Sequence, residues 1–334
     1  MALKTSVTGF PRIGKERELK FAEEKFFKKE ISLEELESTA KKIREYGWKK
    51  QEKAGITFIP SNDFSFYDNV LDTAFIFNTL PERYSSLKLS EIEKYFATAH
   101  GYQGSEGDVK ALPMKKWFNT NYHYIVPELS DSTKISLAKD SKPLREYREA
   151  AALGIKTTPV LTGSFTFLSL ANFTGAKKAV DFVCDFVDSY SKLARELSEQ
   201  GAEWIFFAEP YLVRDLSEAE KSLFTSIYAS LLSKIRAESK IKVCLQTFFG
   251  DVRDIYDQIC TLGFDGIGLD FIEGKKSLEL VSKKFPENIL LFAGIVNGKN
   301  IWRSRYEEKI SLVKKIQATV KEEKLVVSDR KSVV

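Results

Sequence analysis

Short β-rich runs alternate with longer helical stretches along the whole chain, and this alternation restricts the fold more than any other feature. Nine runs qualify as strands: TSVTGF (5–10), ITFIP (56–60), NYHYIV (121–126), TPVLTG (158–163), WIFFA (204–208), KVCLQTF (242–248), GIGLDF (266–271), ILLFAGI (289–295) and LVV (325–327). Several are nearly continuous apolar runs, the pattern of strands buried on both faces. Between Lys177 and Gln200, the residues Val183, Phe186, Val187, Tyr190, Leu193, Ala194 and Leu197 recur at spacings of three and four, as one face of a helix requires. A second such stripe, Tyr306, Ile310, Val313, Ile316 and Val320, lies between Ser304 and Glu322. Ser32 with Glu35, and Ser217 with Glu220, have the spacing of capping boxes at helix starts.

Strand–helix repeats of this kind imply right-handed βαβ units around a parallel sheet. Eight units close into a (β/α)8 barrel of about 250 residues, longer with insertions. The 334 residues fit that α/β barrel as one domain with a helical insertion between the second and third strands. We place the insertion at residues 65–115, where the periodicity indicates about two helices. Nine candidates compete for eight places, so one run is a stray or part of a hairpin. An open, doubly wound sheet would call for a glycine-rich phosphate turn after the first strand, and GFPRIG is not GxGxxG.

Charge and cysteine content narrow the function. Net charge is +4, from 51 basic and 47 acidic residues, which excludes a strongly basic nucleic-acid binder. No apolar run is long enough to span a bilayer, and the MALKTSVTGF start lacks a secretory core. Cys184, Cys244 and Cys260 are far apart and lie in apolar segments, which reads as buried, reduced thiols. With only His100 and His123 beside them, no metal-ligand spacing exists. A cytoplasmic chain without its own metal site is the expectation.

In a barrel of this type the chemistry sits at the C-terminal ends of the strands. Those ends carry Arg12, Asn62-Asp63, Asn121-Tyr122-His123-Tyr124, Glu209-Pro210, Asp270 with Glu273, and Asn297. Glu209 paired with Asp270 or Glu273 has the composition of a glycosidase acid and nucleophile. The alternative is that such strand-end acids cap helices or pair with loop arginines. His123, between two tyrosines, is either a hydrogen-bonded core residue or a general base; His100, before Gly101, reads as a helix end. Arg12, Lys15, Arg17 and Lys20 crowd into nine residues where a helix should begin, although cations at a helix N-terminus oppose its dipole. Glu16 and Glu18 are interspersed, so a solvated face accounts for the charge equally well.

Taken in order, GFPRIGKERELK (9–20), SNDFSFYDNVLD (61–72), KWFNTNYHYIVPEL (116–129), AEP (208–210) and AGIVNGKNIWR (293–303) resemble the N-terminal half of the cobalamin-independent methionine synthases. The resemblance runs from about residue 5 to about residue 328. It implies a 5-methyltetrahydropteroyltriglutamate–homocysteine methyltransferase built from two face-to-face (β/α)8 barrels, of which the C-terminal one holds zinc and homocysteine. Zinc there lowers the thiol pKa so that a thiolate attacks the N5-methyl group of the folate. The resemblance further implies that Arg17, Glu18, Leu19 and Lys20, together with Lys116, bind methyltetrahydropteroyltriglutamate, and that no cobalamin is used. Arginine grips a carboxylate bidentately and lysine acts as a mobile point charge, which suits a polyglutamate tail. Asn121 and His123 are expected near the folate.

The zinc ligands of that family have no counterpart here, so no catalytic or metal residue is assigned. The strand corresponding to a His and Cys ligand pair reads CLQTFFG, with Cys244 as a core residue. We expect the barrel to occupy residues 1–328 and an atypical tail 329–334, with the zinc barrel missing or on another chain. On this expectation the chain alone binds folate weakly and does not transfer methyl groups. Apolar surface should be exposed where a helix after the last strand would lie.

Overall fold

The computed structural model describes residues 3–331. Eight parallel strands form one sheet that curls into a barrel: β1 (Lys4–Ser6), β2 (Ile59–Ser61), β3 (Thr157–Thr162), β4 (Trp204–Ala208), β5 (Lys242–Gln246), β6 (Gly266–Asp270), β7 (Leu290–Asn297) and β8 (Leu325–Arg330). Neighbours follow chain order, and β8 pairs with β1 through Lys4↔Val326, Thr5↔Val327 and Ser6↔Ser328. A parallel bridge between Ser6 and Phe58 closes the ring between β1 and β2.

The barrel interior is filled by aromatic side chains. Phe58, Trp204, Phe206, Phe292, Cys244 and Val326 pack together, with the Phe58 and Phe292 rings 5.0 Å apart and those of Phe206 and Phe292 5.1 Å apart. Crowding by interior side chains explains the glycines of GIGLD in β6. A Cβ on Gly266 would lie 2.7 Å from the Phe292 ring, and one on Gly268 would lie 2.4 Å from the Gln246 carboxamide.

Helix formation follows the sequence closely where it is capped. Ser32 and Ser217 both form the reciprocal box with the glutamate three residues on, and Ser90 with Glu93 forms a third. The helix Val183–Glu199 buries Phe186, Tyr190, Leu193 and Leu197, as its periodicity requires. The helix Tyr306–Gln317 departs from expectation. Ile316 is buried, but Tyr306 and Ile310 are exposed, because it is Leu312, Val313 and Ile316 of this helix that pack against the core.

The ninth strand candidate lies outside the barrel. Of NYHYIV, only His123–Ile125 is strand, and it pairs antiparallel with Met114–Lys116 in a hairpin. An alternating run does not reveal which partner it will take, and MKK is too charged to register as a strand. The insertion is consequently longer than 65–115. It starts after β2 and continues to about residue 141, where the helix Lys142–Ala152 leads back into β3. It contains the helices Asn69–Ile76, Glu82–Ser85 and Glu91–His100, two small hairpins, and an extended stretch. At the other end β8 runs through Asp329 and Arg330, past the expected boundary at 328; residues 332–334 of the expected tail lie outside the described residues.

The thiols are only partly as expected. All three cysteines are unpaired, and Cys244 is buried in β5, but Cys184 is exposed and Cys260 half-buried, on helices whose adjacent residues Val183 and Ile259 take the buried face.

Candidate functional site

The C-terminal ends of the strands enclose a cavity of about 120 Å³, and the inserted hairpin supplies part of its wall. Gly9, Phe10 and Arg12 reach it from the loop after β1, Asn62 and Asp63 from the end of β2, Thr162 from β3, and Trp117, Tyr122 and His123 from the hairpin. Phe248 and Lys331 complete the side nearest β5 and β8.

Local rules place these groups. Asn62 takes a left-handed conformation (φ 63), which turns the chain off β2. Its backbone N–H donates to Glu146, and its side chain is held between the Val160 carbonyl (2.8 Å) and the Lys142 ammonium (2.9 Å). Asp63 accepts from the Phe10 N–H at 2.8 Å, and burial raises its carboxyl to about 6 against the pull of Lys331. Desolvation lowers the Lys331 ammonium in turn, although Asp63 and Asp329 oppose that shift. Asp68 caps the helix Asn69–Ile76 by accepting from Val70 and Leu71 and also accepts from Ile125 of the hairpin. Burial raises its carboxyl to about 7 despite those bonds.

The residues of the basic opening segment divide into two kinds. The chain from Pro11 to Arg17 is irregular, and the helix α1 (Glu18–Phe27) begins only at Glu18. Arg17 sits at its N-cap in the left-handed region (φ 63), exposed, and no side chain caps the helix. Lys20 is half-exposed, 3.5 Å from Glu24. Leu19 is 1% exposed and packs with Ala40, Ile43 and Phe64. Glu18 accepts from the Glu16 N–H at 2.9 Å and folds back on Gly14. Thus Arg17 and Lys20 face solvent, whereas Leu19 is core and Glu18 shapes the turn.

Lys116 is exposed at the end of a hairpin strand, opposite His123. Asn121 is exposed at the hairpin tip and does not line the cavity, whereas His123 does. Both were expected at a barrel strand end, and both belong instead to the inserted hairpin. Arg12 projects toward the insertion, donating to the Ser65 carbonyl at 2.5 Å and lowering the pKa of Glu23, which burial nonetheless raises to about 7. Sequence reasoning overlooked Trp117, Phe248 and Lys331 as cavity walls. The aromatic density of WFNTNYHY was the available signal for the first of these.

The glycosidase arrangement does not form. Glu209 is fully buried and accepts from Phe165 (3.1 Å), Thr166 (2.7 Å) and the Tyr228 hydroxyl (2.6 Å). It stabilises the start of the helix Ser164–Leu170, and burial raises its carboxyl to about 7. Asp270 accepts from the N–H groups of Phe249, Ile272 and Glu273 and pairs with Arg330. Glu273 pairs with Arg330 and Lys299. Each acid is consumed by structural partners, largely on neighbouring elements, which is the capping-and-pairing alternative.

Among the described residues no group of three or more His, Cys, Asp or Glu side chains is placed to hold a metal. Burial pushes the Cys244 thiol well above its ordinary value, opposite to what a metal-binding thiolate needs. Zinc therefore does not fit the residues present. No helix is long and apolar enough to cross a membrane, among the residues described.

Comparison with known proteins agrees with this architecture. The family model described as "Cobalamin-independent synthase, N-terminal domain" matches residues 4–321. A Streptococcus thermophilus protein named 5-methyltetrahydropteroyltriglutamate–homocysteine methyltransferase is 52% identical over 317 residues, covering 95% of this chain and 42% of the relative. A Lactococcus lactis protein of the same name is 52% identical over 313 residues, 93% of this chain and 41% of the relative. The chain thus spans about two fifths of the length of the curated relatives it matches. Among solved structures, a B12-independent methionine synthase from Shewanella has a TM-score of 0.64 at 14% identity, covering 90% of this chain and 82% of that one. A putative one from Listeria monocytogenes has a TM-score of 0.67 at 13% identity, covering 98% and 89%. At those identities the structures show a shared fold. The sequence match over nearly the whole barrel shows more: this chain belongs to the family of the N-terminal domain of the cobalamin-independent synthases.

Proposed function

We propose that this barrel is the folate-polyglutamate-binding half of a cytoplasmic 5-methyltetrahydropteroyltriglutamate–homocysteine methyltransferase. The observation that carries the reading is the 52% identity to relatives of that name across 95% of the chain. The geometry is compatible with it. Arg17 stands exposed at the uncapped start of α1, Lys20 is paired only with Glu24 across a largely solvated 3.5 Å contact, and Lys116 is exposed on the hairpin. Cations that lack strong internal partners are available to a polyanion, and a helix N-terminus adds donors to the same site. Asn121 and His123, on the same hairpin as Lys116, are assigned a place beside the bound folate. The homocysteine thiolate and the zinc that activates it belong to a second barrel, in the same longer chain or in a partner. Without that barrel this chain binds folate and does not make methionine.

Calorimetric titration with methyltetrahydropteroyltriglutamate and its monoglutamate tests the reading. The triglutamate should bind more tightly, and the advantage should shrink with added salt. Lys20→Ala and Lys116→Ala should each weaken it about threefold to fivefold at low salt, the worth of an exposed ion pair. Equal affinity for the two folates, insensitive to salt, would exclude the tail clamp.

A further inference from the structure

The hairpin bearing Lys116 is not part of the barrel; its base is tied to the rest of the insertion and its tip to loops of the barrel. At its base, the Ile125 N–H donates to Asp68 at 2.9 Å and the Val126 N–H to the Pro113 carbonyl at 2.8 Å. At its tip, Trp117 donates to the Tyr122 carbonyl at 2.7 Å, so Lys116 is the last residue before a closed turn. Phe118, inside that turn, is held at φ 48, an unfavourable conformation for a bulky residue. Its ring lies 5.6 Å from that of Phe249, itself at φ 79, and the Arg214 guanidinium sits 5.3 Å above it.

The next residue is engaged twice by the barrel. The Asn119 carboxamide donates to Glu273 at 2.5 Å, and its backbone carbonyl accepts from the Lys299 ammonium at 2.9 Å. Lys299 and Glu273 lie 3.2 Å apart, and Glu273 pairs with the buried Arg330 at the end of β8. Burial alone would raise the Glu273 carboxyl, but Asn119, Arg330 and Lys299 together hold it below its ordinary value. The contacts join residues 154 and 180 positions apart, from the loops after β6 and β7. Strain at Phe118 persists only because the surroundings over-determine it.

We propose that Asn119, Glu273 and Lys299 form a clasp that positions Lys116 and thereby sets the preference for a polyglutamate tail over a single glutamate. The clasp rests on the folate reading above, and its residues are positioning residues: they act through Lys116. A lysine on an unfastened hairpin must be ordered when the tail binds, and that ordering is subtracted from affinity. A clasped hairpin has been ordered by folding instead.

The test uses the 334-residue chain with Lys299→Ala, Asn119→Ala and, as conservative rescue, Lys299→Arg. The probes are methyltetrahydropteroyltriglutamate and its monoglutamate. Hydrogen exchange of residues 114–125 provides a readout that needs no ligand. The expected result is faster exchange in the hairpin for both alanine variants. A threefold to tenfold loss of triglutamate affinity, about the value of ordering one long side chain, accompanies it, with a distinctly smaller loss for the monoglutamate, which does not use Lys116. Lys299→Arg restores both. Faster exchange with an unchanged triglutamate-to-monoglutamate ratio would overturn the clasp as a specificity device, as would unchanged exchange. Absence of triglutamate binding in the unsubstituted chain would instead overturn the folate reading, whatever the exchange data show, and with it the role given to Lys116.

Discussion

At the scale of single residues, the segment RELK shows how one motif mixes solvent-facing and core positions. Arg17 is exposed and Lys20 half-exposed, while Leu19 sits in a pocket made by Ala40, Ile43 and Phe64. Leu19→Ala should therefore act on stability, by about 2–5 kcal/mol, through the cavity it leaves. Chemical denaturation would show this as a lower midpoint, and any loss of folate binding would follow from unfolding. Lys20→Ala should leave the midpoint nearly unchanged, because its pairing with Glu24 is exposed. Glu209 makes the opposite point. It has the composition of a catalytic acid but three internal donors, so Glu209→Ala should destabilise the fold by roughly 2–4 kcal/mol by orphaning the Phe165 and Thr166 amides. A Glu209→Ala chain as stable as the original would mean that this carboxylate is not structural.

At the scale of elements, β8 carries an unusual burden for a strand that follows so short an apolar run. Arg330, fully buried, neutralises Asp270 and Glu273 at the ends of neighbouring loops. Truncating it leaves the buried Asp270 without its cation and Glu273 with Lys299 alone, and breaking a buried pair in this way costs about 3–5 kcal/mol. Arg330→Ala should accordingly lower the unfolding midpoint more than Asp270→Asn does, because the asparagine removes a charge and keeps its shape. Equal effects would show that the ion pair is incidental to the strand. The same comparison explains why the sequence reading stopped at LVV. Ser328, Asp329 and Arg330 are polar, and nothing local reveals that a polar strand end will be buried by its partners.

At the scale of the whole molecule, the balance of buried acids sets the pH response. Glu209, Asp68 and Glu23 are raised to about 7 and Asp63 to about 6, each chiefly by burial. A carboxyl whose pKa is higher folded than unfolded contributes fully below its unfolded value and loses that contribution as pH rises through the folded one. Exposed Glu93 and Glu279 and half-buried Glu220 are lowered by hydrogen bonds from Ser90, Lys283 and Ser217 respectively, and they lose their contribution only in more acidic solution. The melting temperature should thus be highest at about pH 4 to 5, fall as pH rises to about 7, and level off above that. A flat or rising profile from pH 5 to pH 7 would contradict the burial of these acids. The tryptophans offer a second check. Trp302 is 77% exposed, against 2% for Trp48 and 7% each for Trp117 and Trp204. Collisional quenching should reach one emitting tryptophan, and Trp302→Phe should remove the quenchable fraction.

The barrel was legible in the sequence because buried parallel strands and amphipathic helices write their environment into local composition. WIFFA, GIGLDF and ILLFAGI could be read as strands, and two serine–glutamate boxes as helix starts, without any knowledge of distant residues. The family was legible too, through motif blocks such as RELK and WFNTNYHY. What only the tertiary structure decided is where a run goes when its partner is far away or weakly patterned. NYHYIV became a hairpin strand rather than a barrel strand because it pairs with the charged Met114–Lys116. Asn119 meets Glu273 and Lys299, and Asp270 meets Arg330, only because the barrel closes. Local periodicity reports how deeply a residue will be buried, whereas the identity of its partner depends on closure across the whole chain.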